Sequence, residues 1–280
     1  MMRTPVEVET GLPPGLPTNL AEEVRGLGAF LDYFPTSVGA WRYVAPIAFL
    51  LLGLLFLGVP LSALKEGAGA AALAFLLGPA FFFVVAVGVY LYLRRLRRMR
   101  AWLFADGLVA QTASQTVAWR WDQLALVWQK IVQQLGGGGS ALEGALSGAL
   151  EAATTPTGGW RVLTLQSREG TQIRLAGLRH AHRLIEAIAR ETLPWLLPPA
   201  RAQYDSGATV FFGRLGLSDE GIHDGAAVLP WGEVQDVKQA DTSVVIARKG
   251  KWLAWSKVPL GKIPNVHVFF ALVGEVQSRE

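Results

Sequence analysis

Residues 44–100 read VAPIAFLLLGLLFLGVPLSALKEGAGAAALAFLLGPAFFFVVAVGVYLYLRRLRRMR, two uncharged apolar runs parted only by Lys65 and Glu66 and closed by Arg94, Arg95, Arg97, Arg98 and Arg100. The first run, 44–64, is about 21 residues, which at about 1.5 Å per residue covers a hydrocarbon core of about 30 Å. The second, 68–93, is longer, so it must tilt or bend, and Gly78-Pro79 is the natural bending point. Helices in a soluble core keep polar residues along one face, and these runs carry almost none. The stretch therefore predicts a two-helix transmembrane hairpin. Its position, more than forty residues into the chain, does not fit a cleaved signal peptide.

Five arginines follow the second run, whereas the intervening turn holds one lysine. The positive-inside rule then puts both ends of the hairpin in the cytosol and the chain in the plasma (inner) membrane as a multi-pass protein. The same arginines, Arg94, Arg95, Arg97, Arg98 and Arg100, are the candidate membrane-surface contact, near anionic headgroups. They also account for the formal net charge of +4, so the balance is no signal for nucleic acid. The chain has no cysteine, which excludes disulfides, thiolate metal sites and cysteine nucleophiles.

Outward from the hairpin, residues 1–25 are rich in proline, glycine and glutamate and read as a loose tail. The segment LGAFLDYFP from residue 27 is apolar and aromatic, an interfacial helix or a strap on the cytosolic domain. Residues 1–43 thus form a tail and interfacial segment. Inside the hairpin, Ala70, Ala74 and Gly78 make a smooth stripe for close helix approach, to the other helix or to a second copy.

Beyond residue 98 the texture changes to short strands. Trp102 and Phe104 lead into the turn Ala105-Asp106-Gly107, and runs at 108–113, 117–121 and up to Val132 follow. A glycine-rich insertion, 133–159, precedes runs at 160–166 and 171–175. A helix from about Leu178 then gathers Ala181, Leu184, Ile185, Ile188 and Thr192 on one face.

The second half repeats this plan. Asp219-Glu220-Gly221-Ile222 matches Asp106-Gly107-Leu108, and Leu229-Pro230-Trp231-Gly232-Glu233-Val234 matches Trp121-Asp122-Gln123-Leu124. Strands at 243–248 and 251–256 flank Lys249-Gly250. Asn265 is the predicted N-cap of a closing helix with Phe269, Leu272, Val273 and Val276 on one face. The expected domains are the hairpin at 44–98, a first strand-rich domain at 99–198 and a second at 199–280, joined by a proline-rich connector at 194–204.

About seven antiparallel strands closed by one helix resembles a pleckstrin-homology-like barrel, and the tryptophan after the polar turn resembles the W-x-x-[IVL] strand start of bacterial versions. The stretches GATVFFGRLGLSDEG (207–221), LPWGEV (229–234) and IPN (263–265) further resemble an uncharacterised bacterial family of two-span membrane proteins carrying tandem domains of this kind. That resemblance implies a fold, a domain of unknown function, and no chemistry. The fold class it implies is a two-helix transmembrane hairpin plus two mainly-β pleckstrin-homology-like barrels, each with a C-terminal helix.

Catalytic material is thin. His180 and His182 are two apart on a helix and point to different sides, unlike an i, i+4 zinc pair. His223 and His267 read as ordinary histidines, and no nucleophile elbow or phosphate loop is present. Trp121 and Trp231 read as core pegs. Of Trp252 and Trp255, at least one ring should face outward beside Lys251 and Lys257. Arg248-Lys249-Gly250-Lys251-Trp252 combines basic and aromatic character suited to headgroups or single-stranded nucleic acid, and tethering to a bilayer favours lipid.

The sequence therefore leads to a non-enzymatic, membrane-anchored interaction or assembly module without catalytic residues, cofactor or metal. Its partners are the lipid bilayer, an unidentified protein and, as a further option, a second copy, and not nucleic acid. The alternatives are a subunit of an oligomeric transport or channel assembly, anionic-lipid headgroup binding, and an enzyme acting on lipid or nucleotide.

Overall fold

The computed structural model describes residues 13, 15–16, 20–36, 43–58, 77–132 and 160–279. One strand plan occurs twice. In the first copy, strands β1 (Phe30–Phe34), β2 (Arg100–Phe104), β3 (Gly107–Gln111) and β4 (Thr116–Arg120) form an antiparallel sheet in that order, and β5 (Leu124–Val132), β6 (Trp160–Ser167) and β7 (Gln172–Ala176) form a second. In the other copy, β8 (Val210–Phe212), β9 (Leu215–Leu217), β10 (Gly221–Asp224) and β11 (Ala227–Pro230) answer the first sheet, and β12 (Val234–Gln239), β13 (Ser243–Arg248) and β14 (Ala254–Pro259) the second. Both copies are β-rich and each ends in a helix, as the repeat predicts.

The repeat is held at equivalent points by equivalent chemistry. A 3-10 turn at Trp121–Gln123 in one copy and at Trp231–Glu233 in the other carries the chain from the first sheet to the second. Each indole is buried, and its N–H donates to a carbonyl at the preceding turn, Ala105 at 2.9 Å and Ser218 at 2.8 Å. Burying the ring would strand a polar N–H without that carbonyl, so packing and hydrogen bonding fix the same rotamer. Gly107 lies opposite Arg120 and Gly221 opposite Pro230. A Cβ on either glycine would stand 2.3 Å from the Trp119 carbonyl oxygen or 2.0 Å from that of Leu229, so only glycine lets the strands close there.

Segment 27–35, expected as an interfacial helix or a strap, supplies β1, the edge strand of the first sheet, with Phe34 opposite Ala101. The strand-rich domain therefore starts before the apolar stretch rather than at residue 99. Nor is all of residues 1–25 loose. Leu16, Leu20 and Val24, the last within helix α1 (Ala21–Arg25), join Leu27 in covering Trp102, Phe104 and Val109 on the sheet face turned away from the barrel. This explains why β2 reads RAWLF with no exposed polar alternation: both of its faces are covered. Residues 1–12 lie outside the described residues.

Two antiparallel apolar helices form a separate unit with residues 36–98. They are α2 (Val44–Phe56) and α3 (Leu77–Arg97), with Tyr43 against Tyr90 at one end and Phe56 stacked on Phe82 at the other. Gly53 provides the close approach, its hypothetical Cβ falling 3.3 Å from Phe82. A Cβ on Gly78 would meet nothing within 4 Å among the described residues, and Ala70 and Ala74, the other two positions of the expected stripe, lie outside them. Among the described residues only α3 is long and apolar enough to cross a membrane. At 13 residues, α2 spans about 20 Å, short of the full hydrocarbon thickness. The two-helix reading of 44–64 and 68–93 thus reduces to one full-length apolar helix and one shorter partner, with residues 59–76 outside the described residues. The insertion 133–159 is likewise outside them.

Helix α4 (Ala181–Asp205) corrects the proline-rich connector. Pro194, Pro198 and Pro199 lie inside a single helix of 25 residues. Each interior proline costs a helix about 3 kcal/mol relative to alanine. The offset comes from packing on two cores: Leu184 and Ile188 enter the first, while Leu193, Leu196, Leu197 and Tyr204 cover the second. The final helix, α5 (Val266–Gln277), buries Phe269, Leu272, Val273 and Val276 as the sequence predicts.

Candidate functional site

The first candidate is the root of the apolar segment. In the second β-rich domain, β8 and β9 are joined by the two residues Gly213-Arg214, with Phe212 opposite Leu215. Gly213 takes φ +67°, the left-handed conformation of a tight hairpin. In the first domain the equivalent strands are β1 and β2, with Phe34 opposite Ala101. The entire stretch 35–100 thus stands where its counterpart has two residues. The chain leaves the first sheet and re-enters it at paired positions.

Among the described residues of this stretch, many large apolar side chains point outward. Leu51, Leu55, Leu77 and Val84 expose 59, 74, 74 and 71 % of their surface, and Ile47, Phe81 and Val87 are also outward. These neighbouring aliphatic groups form an exposed apolar surface on the two helices. At the end of α3, Arg94, Arg95, Arg97 and Arg98 are exposed. The Arg97 guanidinium lies 4.3 Å from the centre of the Tyr43 ring, a cation–π contact joining the two helix ends. Arg100 is apart from them in role, being the first residue of β2 and half-buried. Four of the five predicted contact arginines therefore share one helix end, and the fifth belongs to the barrel.

A second feature, which the sequence did not disclose, is the joint between the two β-rich domains. Asn265 takes φ +51° ahead of α5 and makes no side-chain cap to that helix. Its side chain reaches the first barrel instead: Oδ1 accepts from the Val127 N–H at 2.8 Å, and Nδ2 donates to the Ala125 carbonyl at 2.9 Å. Its own N–H donates to the Val127 carbonyl at 2.8 Å. Along the adjoining helices, the Arg201 guanidinium forms a two-pronged ion pair with Glu275, and Arg279 pairs with Asp205 at 2.8 Å. Between them lies His267, 3.1 Å from Thr192 Oγ1. The threonine hydroxyl donates to Ile188, so it must accept from the imidazole, which fixes the neutral tautomer protonated on Nε2. Burial pushes the His267 pKa down to about 4.

The remaining candidates are placed as follows. His180 and His182 are both exposed with their rings 6.1 Å apart, and His180 precedes the helix at φ +56°. His223 Nε2 lies 2.7 Å from Ser218 Oγ, a distance suited to a nucleophile and its base. The neighbouring carboxylate, Asp224, is already engaged by Arg214 and by the Ser256 hydroxyl at 2.7 Å, so it is not free to orient that imidazole. Among the described residues no group of three or more His, Asp or Glu could hold a metal ion. Trp252 is 92 % exposed at the β13–β14 tip and Leu253 60 %, whereas Trp255 is half-buried against the core. The strand expected from Lys251 starts only at Ala254, which leaves Trp252 on the turn.

A family described as a family of unknown function, DUF6585, matches residues 17–138 and 150–280. The match takes in both β-rich domains and the apolar segment, and it breaks only inside the glycine-rich insertion. No curated protein and no solved structure matches the chain.

Proposed function

This chain belongs to DUF6585, a family of unknown function, and we propose that it is a non-catalytic, membrane-anchored module that presents two joined pleckstrin-homology-like barrels to the cytosol as an interaction or assembly platform. The observation that carries this reading is the position of the apolar stretch. It replaces the two-residue turn between two hydrogen-bonded strands of the first barrel.

Strands paired in one sheet lie on one side of a bilayer, so a segment leaving from β1 and returning to β2 crosses an even number of times. The four-plus-three strand arrangement with a closing helix supports the pleckstrin-like assignment. The exposed arginines at the end of α3 support a cytosolic, inner-membrane placement and a surface contact for Arg94, Arg95, Arg97, Arg98 and, at the start of β2, Arg100. Fold alone assigns no ligand to such barrels.

Because the chain contains no cysteine, single cysteines report topology without background. In intact bacterial cells, Lys65→Cys should react with a membrane-impermeant maleimide, whereas Glu22→Cys and Arg279→Cys should react only after permeabilisation. Labelling of Glu22→Cys or Arg279→Cys in intact cells would overturn the reading.

A further inference from the structure

The two barrels differ most informatively at one pair of equivalent turns. Between β6 and β7 the first barrel carries Ser167-Arg168-Glu169-Gly170-Thr171, a charge-balanced turn without an apolar side chain. The Arg168 N–H donates to the carbonyl of Gln123 at 2.8 Å, and Gly170 takes φ +88°. The second barrel builds the same corner: the Lys249 N–H donates to the Glu233 carbonyl at 2.8 Å, and Gly250 takes φ +70°. Its turn, which ends in Lys251, Trp252 and Leu253, is one residue longer between paired positions (Ala247 and Ala254, against Gln166 and Gln172), and the strand pairing slips between Ile246 and Ala247.

The Lys251 N–H closes the turn on the Arg248 carbonyl at 3.2 Å, as the Gly170 N–H does on Ser167 at 3.0 Å, whereas Trp252 and Leu253 follow that closure with their side chains outward. Arg248 is held by Glu233 at 2.7 Å, which leaves Lys249 and Lys251 as exposed cations on a tip without an acidic residue. Beyond them stand an indole 92 % exposed and a leucine 60 % exposed. Tryptophan with lysine is the pairing that favours the boundary between headgroups and acyl chains: the ring takes the interface while the ammonium groups meet lipid phosphates.

We propose that the β13–β14 tip is a second membrane contact, in which Trp252 and Leu253 enter the interface of an anionic phospholipid bilayer and Lys249 and Lys251 bind its headgroups. This deepens the membrane-module reading and rests on the chain lying at a bilayer. A single-stranded nucleic acid offers the same basic and aromatic chemistry, but nothing in this turn continues as a basic groove to follow a strand.

The test uses the full chain reconstituted in phosphatidylcholine vesicles with or without phosphatidylserine, carrying a polarity-sensitive fluorophore on Leu253→Cys or, as internal comparison, on Glu169→Cys. The label at 253 should brighten and be quenched by spin-labelled acyl chains in the anionic vesicles, while the label at 169 stays unquenched. Adding Lys249→Gln and Lys251→Gln should weaken the response at 253 by about fivefold per lysine. An unquenched label at 253, equal quenching at both sites, or a response to a single-stranded oligonucleotide in place of vesicles would overturn the proposal. Flotation of the same samples tests the anchor separately. Vesicle association without quenching at 253 rejects the tip and leaves the anchor standing. Association only with anionic vesicles, together with quenching, rejects the anchor and leaves the tip.

Discussion

The Val127 N–H, in strand β5 of the first barrel, donates to Asn265 Oδ1 of the second at 2.8 Å, and the Asn265 N–H donates back to the Val127 carbonyl at the same distance. Asparagine suits both demands of the position, since it tolerates the left-handed backbone and its amide mimics a strand partner. Asn265→Gly keeps the backbone and removes the amide. It should destabilise the protein by about 1–3 kcal/mol. Hydrogen exchange at Val127 should accelerate with it. An unchanged denaturation midpoint and unchanged exchange would show that the joint is held by packing alone.

Trp121 and Trp231 occupy one position of the repeat and make the same bond, so their conservative variants should behave alike. Trp→Phe at either site removes the indole donor and leaves the Ala105 or Ser218 carbonyl without it. The expected loss is about 1–3 kcal/mol at each, read by chemical denaturation. A neutral result at one site only would break the equivalence of the two barrels.

His267 makes the joint sensitive to acid. Its folded-state pKa of about 4 lies below the ordinary value of 6.5, so the unfolded chain takes up the proton first as pH falls. Stability should be flat above about pH 6.5, decline from there to about pH 4, and reach a total loss of about 3 kcal/mol from this group. His267→Gln retains a donor for Thr192 and does not titrate. Comparing urea midpoints of the two proteins across that window isolates the effect, and parallel curves would contradict it.

The insertion itself can be removed. A chain in which residues 35–100 are replaced by Gly-Arg, copying the turn between Phe212 and Leu215, should fold in detergent-free buffer with both barrels intact. Cooperative unfolding and the circular dichroism of a β-rich protein would bear this out. An aggregated product would mean that the barrels require the apolar segment.

The sequence by itself determined the features that depend on local pattern. Two uncharged runs with an arginine edge, the Trp121 and Trp231 repeat, and the apolar faces of the closing helices are all readable because burial repeats at the period of the element. Tertiary structure alone decided where the apolar stretch attaches. The partners β1 and β2 are separated by that stretch, and strand pairing across such a distance leaves no periodic trace in either segment. It also decided that Pro194–Tyr204 stays helical, since two cores reward the helix more than three prolines oppose it, and that Asn265 bonds across the joint rather than capping its own helix. Its amide has both a donor and an acceptor, and strand β5 of the other β-rich domain offers a match for each.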